Sequence, residues 1–127
     1  MSNMDIRDLS IGDWVLDGND NPAQILAIEN WSDGYVLNVR IKDMGIGVVV
    51  ITRVRPILIT QEILEKNGFV KNLGIYYHSE VLFELERVRD TWHRTFSAGE
   101  YDLYEIKYVH QLQHALRLVG VGKEIEL

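Results

Sequence analysis

The first half of the chain alternates short apolar runs with polar turn residues, the pattern of short β-strands. Apolar positions recur in residues 11–16 and 23–30, and the DGNDNP between them carries the Asp-Gly and Asn-Pro pairs that form turns. Residues 36–41 alternate, and residues 46–57 are rich in β-branched side chains. We therefore expect four short strands, the first two joined as a hairpin, in a small barrel or a strongly bent sheet.

The second half combines a short helix with further strands. ITQEILEKNGF, residues 59–69, offers Thr60 as the N-cap and Asn67-Gly68 as the stop, which predicts a helix. FVKNLGIYYH predicts a hairpin that turns at residues 72–74. Three more segments predict the rest of a three- or four-stranded antiparallel meander, namely residues 80–88, 91–96 and 101–106.

A final helix is predicted to start between Ile106 and Tyr108 and to end at Gly120. At about 100° per residue, one stripe of this helix is apolar. It comprises Tyr108, Leu112, Ala115, Leu116 and Val119. The opposite side, facing away from the sheet, would carry His110, Gln113, His114 and Arg117. The alternating KEIEL at residues 123–127 predicts a last edge strand.

Together these elements predict an α+β fold. Residues 1–58 would form a small SH3-like β-barrel subdomain, because IGDWV is similar to the first strand of such barrels, where a Trp packs in the core. This analogy concerns the fold and implies no function. Residues 59–127 would form an α+β subdomain, in which a helix and an antiparallel meander precede a C-terminal helix packed on the sheet.

Composition and charge narrow the classes of partner. With 127 residues, 46% hydrophobic and 25% charged, the chain has the make-up of an ordinary globular protein. Nineteen acidic and thirteen basic residues give a net charge of −6, and the chain divides at Thr60 into halves of −3 each. Without a basic excess, neither nucleic acid nor an anionic membrane is a favoured partner.

The chain contains no cysteine, which excludes disulfides, a thiolate nucleophile and a thiolate zinc site. Its first residues, MSNMDIRDLSIGDW, have no apolar signal-peptide region. The longest uncharged apolar run, residues 44–52, is far shorter than the roughly 20 residues of a membrane-spanning helix. We expect a cytoplasmic protein without a membrane segment.

Three segments, taken in order and at their spacing, resemble one family. DLSIGDWVL, LITQEILEKNGF and IKYVHQLQHALRLVG are similar to segments of a group of short proteins from Bacteroidetes genomes and from the phages and mobile elements within them. The resemblance spans nearly the whole chain, and IKYVHQLQ is its most specific part. It implies an association with such elements but no reaction, cofactor, ligand or catalytic residue.

His110 and His114 lie four residues apart, the spacing at which two zinc-ligating histidines share a helical face. A metalloprotease places a Glu general base after the first His, where this chain has Gln111, whose amide cannot act as a base. Another kind of metal site would need a third ligand. The candidates are His78, His93 and Glu84. We predict no metal or other cofactor, and keep a metal-dependent enzyme using His110 and His114 as an alternative.

No other pattern completes a catalytic constellation. No serine stands in a G-x-S-x-G elbow. Glu84 and Glu86 share one strand face, but Arg87 and Arg89 follow, which is typical of a solvated charged face. GIGV at residues 45–48 lacks the third glycine of a dinucleotide-binding loop. We therefore expect no enzymatic activity.

The densest basic cluster comprises Arg40, Lys42, Arg53 and Arg55. On neighbouring strands near Tyr35 or Trp31, these residues could form a small nucleic-acid surface, as in some SH3-like and OB-like barrels. We favour the simpler interpretation that they offset Asp33 and Asp43.

The most probable role from the sequence is a non-enzymatic binding or accessory protein of a phage or mobile element. Its partner would be a protein or a second copy of the chain, since an edge strand such as KEIEL or VVVIT could pair with another strand. Trp31, in a predicted turn, is the best candidate for an exposed aromatic anchor. The other candidate partner-facing residues are His110, Gln113, His114 and Arg117. A nucleic-acid-binding module using Arg40, Lys42, Arg53 and Arg55 is the disfavoured alternative.

Overall fold

The computed structural model describes residues 4–89, 91–96, 100–121 and 124–127, without the side chains of residues 95–96 and 100–104. The chain divides into two compact units, Met1–Ile57 and Leu58–Leu127. Each unit contains one antiparallel sheet, and both helices lie in the second unit. The predicted α+β class is confirmed.

The first unit is a sheet of four antiparallel strands in chain order. The strands are β1 (Trp14–Leu16), β2 (Pro22–Trp31), β3 (Gly34–Ile41) and β4 (Gly45–Val50). The predicted hairpin of β1 and β2 is confirmed. In its turn the Asp17 N–H donates to the Asn21 carbonyl at 2.9 Å. Asp20 has a φ of 64°, a left-handed conformation that a short polar side chain tolerates.

The predicted strand over residues 46–57 is shorter in the structure, because the chain turns after Val50. A 3₁₀ turn at Ile51–Arg53 is closed by the Val54 N–H, which donates to the Ile51 carbonyl at 3.2 Å. This turn sends Arg55 back to β1, where its backbone forms two hydrogen bonds with Leu16, at 2.8 and 3.1 Å. The sheet therefore curls into half a barrel.

Apolar side chains from the strands and the flanking turns fill this half-barrel. The buried cluster comprises Leu9, Val15, Ala23, Ile25, Leu37, Val39, Val49 and Val54. All eight belong to the first unit. The unit thus has a hydrophobic core of its own.

The second unit begins with helix α1 (Gln61–Lys66), as the sequence predicts. The Thr60 hydroxyl accepts a hydrogen bond from the Ile63 N–H at 3.2 Å, which is the predicted N-cap. Gly68, with a φ of 88°, lets the chain leave the helix in a left-handed conformation. Both the start and the stop signals of this helix are confirmed.

The sheet of the second unit has five antiparallel strands, one or two more than predicted. They are β5 (Phe69–Asn72), β6 (Ile75–His78), β7 (Glu84–Val88), β8 (Thr91–Phe96) and β9 (Glu100–Ile106). The hairpin of β5 and β6 is confirmed, and it turns at Leu73 and Gly74, both with positive φ. Strand β7 starts later than predicted because the chain bends first, with the Phe83 N–H donating to the Val81 carbonyl at 2.9 Å.

Helix α2 (Val109–Leu118) follows the sheet. The predicted edge strand at the end of the chain is wrong for residues 124–127, which have no strand structure, and residue 123 lies outside the described residues. The side chain of Asn67 binds the backbone of this segment instead. The Asn67 side-chain amide donates to the Glu126 carbonyl at 2.8 Å, and its Oδ1 accepts from the Glu126 N–H at 2.6 Å.

Candidate functional site

Helix α2 buries a different face from the one predicted. Its buried residues are Val109, His110, Leu112, Gln113 and Leu116. At about 100° per residue, the centre of this stripe lies about 90° around the helix from the predicted stripe. Tyr108, which was assigned to the predicted stripe, is the N-cap residue and precedes the helix.

The prediction that His110 and Gln113 face away from the sheet into solvent is therefore wrong. The two residues are 4% and 5% exposed, so they offer almost no surface to a partner. His114 is half-buried and Arg117 is exposed. A partner-facing role for His114 and Arg117 stays a prediction.

The two histidines of α2 pack against each other and against the start of the helix. The His110 and His114 ring centroids are 6.0 Å apart with an interplanar angle of 77°, an edge-to-face arrangement typical of packed rings. His110 also stacks on Tyr108 at 5.9 Å. Among the described residues, no group of three His, Cys, Asp or Glu side chains could hold a metal ion. The third ligand proposed for the pair is thus missing from that part of the chain.

Gln111, which stands where a metalloprotease has its general base, has a structural role. Its Oε1 accepts hydrogen bonds from the N–H groups of Tyr108 at 3.0 Å and Lys107 at 2.8 Å. Gln111 is the third residue of α2, the position from which a Glu or Gln side chain reaches back to the N-cap. This residue therefore caps the helix.

The basic cluster of the first unit divides into paired and unpaired guanidinium groups. Arg55 forms an ion pair with Asp20, and not with the predicted Asp33 or Asp43. Arg40 on β3 and Arg53 at the end of the 3₁₀ turn are exposed, and the described residues contain no ion partner for either. Lys42, in the turn between β3 and β4, is exposed as well.

The exposed aromatic side chains do not adjoin Arg40. Trp31 is 59% exposed, as predicted, and its indole N–H donates to Glu29 Oε2 at 2.9 Å. It pairs with Gly34, which shares a face with Arg40 but lies six residues away along β3, about 20 Å. Tyr35 and Arg40 are an odd number of residues apart on one strand, so their side chains point to opposite faces.

Strand β4 exposes an apolar face, and it includes residues 48–50 of VVVIT, which the sequence predicts as a possible edge strand. Ile46, Val48 and Val50 are 68%, 64% and 43% exposed. They alternate along the strand, so all three lie on its outer face. Strand β4 is also the last in the sheet order, and the described residues place no further strand beside it. It is therefore an exposed, apolar edge strand.

A groove of about 320 Å³ runs beside this edge. It is bounded by residues 47–50 of β4, by Val39 and Ile41 of β3, by residues 17–19 of the turn between β1 and β2, and by Arg53. We call this feature the β4 groove. All of it lies within the first unit.

Two glycines line the β4 groove. A Cβ built at Gly47 would lie 2.9 Å from Ile41 Cδ1, so only glycine lets the Ile41 side chain keep its position. A Cβ built at Gly18 would lie 3.4 Å from Arg53 Cδ, so the aliphatic part of Arg53 rests against the turn. The Arg53 guanidinium is thus held at the rim of the groove.

Asp17 stabilises the turn between β1 and β2, which forms the wall of the groove that faces β4. Its Oδ1 accepts hydrogen bonds from the N–H groups of Asn19 at 2.8 Å and Asn21 at 2.9 Å. Burial raises the pKa of the Asp17 carboxyl, but the hydrogen bonds from Asn21 and Asn19 outweigh burial and leave the pKa below its usual value. At neutral pH the Asp17 charge is therefore present and is satisfied within the turn.

The sequence contained two signals for this edge, the VVVIT segment at residues 48–52 and the apolar run around it. Residues 44–52 form the longest uncharged apolar run, and two glycines interrupt it. A buried strand would show the same pattern, so the exposure of Ile46, Val48 and Val50 depends on which strands lie beside β4.

Comparison with models of protein families, with curated proteins and with solved structures finds no match. None of the helices in the described part of the chain is long and apolar enough to cross a membrane. The geometry and charge of the β4 groove are thus the main basis for a functional proposal.

Proposed function

We propose that this protein is a non-enzymatic binding protein, and that an extended segment of a protein partner docks along β4 in the β4 groove. The observation that carries the proposal is the exposed apolar edge strand with Ile46, Val48 and Val50 on its outer face. Such an edge presents unpaired backbone N–H and C=O groups, to which an extended segment can add as a further strand.

The size of the apolar face favours a linear segment over a folded surface. Its three side chains expose on the order of 300 Å², whereas a stable interface between folded proteins buries about 800 Å² on each partner. Strand addition needs less area, because backbone hydrogen bonds supply much of the affinity and the side chains supply the selectivity.

Other parts of the proposal rest on the sequence. The absence of a complete catalytic pattern supports a non-enzymatic role, and the resemblance to short proteins of Bacteroidetes phages and mobile elements supports an accessory role in such an element. The absence of cysteine supports a cytoplasmic location. We also assign the half-barrel to the SH3-like class, supported by the 3₁₀ turn and by the return of Arg55 to β1.

Single-stranded nucleic acid is the second candidate for the same groove. The observation in its favour is the pair of exposed guanidinium groups of Arg40 and Arg53, for which the described residues supply no ion partner. A metal-dependent reaction at His110 and His114 is not proposed, because His110 is buried and the described residues supply no third ligand.

A peptide-display selection against the purified protein tests the docking function. We expect enrichment of peptides with alternating β-branched or aromatic residues, whose binding is lost in Val48→Glu. The matched control is Val70→Glu, because Val70 is 62% exposed on β5, an edge strand of the other sheet. If no peptide is enriched, or if Val48→Glu binds the enriched peptides as well as Val70→Glu does, the proposal is wrong.

A further inference from the structure

The charges around β4 point to the chemistry of the docked segment. Of the five basic residues in the first unit, four lie within or next to β3, β4 and the 3₁₀ turn. Arg55 is neutralised by Asp20, while Arg40 and Arg53 are exposed. The carboxylate in the groove wall, Asp17, is satisfied by backbone N–H groups. Asp43 is exposed in the turn between β3 and β4, against the exposed Arg40, Lys42 and Arg53, so the exposed charge flanking β4 is more positive than negative on a chain of net charge −6.

The two exposed arginines lie near β4, one on the neighbouring strand and one in the turn that follows β4. Arg40 pairs directly with Ile46 across β3 and β4, so the two side chains share the outer face at one end. Arg53 follows Val50 by three residues along the chain, borders the groove, and lies against Gly18 of the turn between β1 and β2. Between Ile46 and Val50 the strand spans about 13 Å, the length of a five-residue extended segment.

We infer that the segment bound in the β4 groove carries apolar side chains at alternate positions, flanked by acidic side chains. This inference rests on the docking function proposed above. The alternate apolar side chains would lie beside Ile46, Val48 and Val50, and the acidic side chains would reach the guanidinium groups of Arg40 and Arg53.

The charge pattern also decides between this segment and other occupants. A second copy of the chain would bring its own Arg40 and Arg53 to the same edge, and these like charges oppose self-association at β4. A nucleic acid would meet an apolar surface beside the two arginines, and Trp31, the exposed ring on the face of Arg40, is about 20 Å along the sheet from it. An acidic peptide satisfies both the apolar face and the two arginines.

Exposed ion pairs contribute little free energy, so the acidic ends should govern selectivity and the association rate more than the affinity of the strand itself. The neutral centre of the segment should therefore still bind when its ends carry no charge. Charged and neutral segments can therefore test the preference for acidic ends separately from docking itself.

Three fluorescein-labelled nonapeptides test the inference by fluorescence anisotropy with the full chain. Each has valine at three alternate central positions with threonine between them, and two acidic, two serine or two lysine residues at each end. At low salt we expect the acidic peptide to bind roughly tenfold more tightly than the serine peptide, and the lysine peptide to bind most weakly.

Charge reversal tests whether Arg40 and Arg53 cause the preference for the acidic peptide. In the double variant Arg40→Glu, Arg53→Glu we expect the preference to reverse, so that the lysine peptide binds more tightly than the acidic peptide. Arg117→Glu, an exposed arginine of the second unit, is the matched control and should keep the preference of the unmodified protein. Far-UV circular dichroism of each variant shows that a changed preference does not come from unfolding.

Each outcome bears on a different claim. Equal binding of all three peptides, still abolished by Val48→Glu, would overturn the acidic preference and leave the docking function standing. Binding of none of them, together with an empty peptide selection, would overturn both. A single-stranded oligouridine that binds in place of the peptides, or a dimer that Val48→Glu dissociates, would replace the acidic segment with a nucleic acid or a second copy.

Discussion

Asp17 shows how one buried carboxylate shapes the β4 groove. It is 5% exposed, yet two backbone N–H groups keep its pKa below the ordinary value of 3.8. In the unfolded chain the carboxyl returns to its ordinary pKa and binds a proton more readily. The ionised turn thus contributes stability that is fully present above about pH 3.8 and is lost as the pH falls through the folded-state pKa.

Replacing Asp17 by Asn keeps an Oδ1 acceptor for the turn but removes the charge. We expect Asp17→Asn to lower the free energy of unfolding at pH 7 by about 1 to 2 kcal/mol, because hydrogen bonds to a charged acceptor are the stronger ones. The difference from the unmodified protein should shrink as the pH falls from 5 to 3. Urea unfolding at several pH values measures both effects.

The control for this experiment is Asp33→Asn. Asp33 is exposed in the turn between β2 and β3, so its replacement should change the free energy of unfolding by less than about 0.5 kcal/mol. A loss in Asp17→Asn that stays constant from pH 7 to pH 3 would contradict the proposed role of the charge.

At the scale of single elements, local signals predicted the turns and helix ends well. Thr60 and Gly68 delimit α1 through capping and a left-handed φ, which depend only on neighbouring residues. The turn at Leu73 and Gly74 is set in the same local way. These features could therefore be predicted from short stretches of sequence.

Features that depend on distant parts of the chain were harder to predict. The buried face of α2 was misplaced because two polar residues, His110 and Gln113, are buried on it together with Val109. The exposure of Val48 depends on the absence of a further strand beside β4, and its own sequence is equally typical of a buried strand. The sequence therefore offered VVVIT as one possible edge strand, and the sheet order decided that β4 is an edge.

The cap of α2 gives a test at this scale. Gln111→Ala removes the acceptor for the Tyr108 and Lys107 N–H groups, and we expect it to lower the free energy of unfolding by about 1 kcal/mol. Gln111→Glu keeps an acceptor and adds a negative charge near the helix N-terminus, so it should match or exceed the unmodified protein. Chemical denaturation at pH 7 distinguishes the two variants, and equal losses in both would show that the side chain does not act as a cap.

At the scale of the whole molecule, the first unit has the elements of an independent fold. The eight residues of the first core lie between Leu9 and Val54, and the β4 groove lies between Asp17 and Arg53. The hydrogen bonds that join β1 to the last part of the unit are made by Arg55. Core, groove and closing contact are therefore all contained in residues 1–57.

We expect the isolated fragment of residues 1–57 to fold and to bind the acidic nonapeptide. Domains of 55 to 65 residues are marginal, since they bury only about 60% of their surface, so the fragment should unfold at a lower urea concentration than the full chain. A fragment of residues 1–50 is the matched control, because it lacks Val54 of the core and Arg55, which pairs with Leu16. Circular dichroism should show a cooperative thermal transition for the longer fragment and none for the shorter one.

If both fragments melt alike, the return of the chain to β1 does not stabilise the half-barrel. If the longer fragment folds but no longer binds a peptide that the full chain binds, the binding site requires residues beyond the first unit.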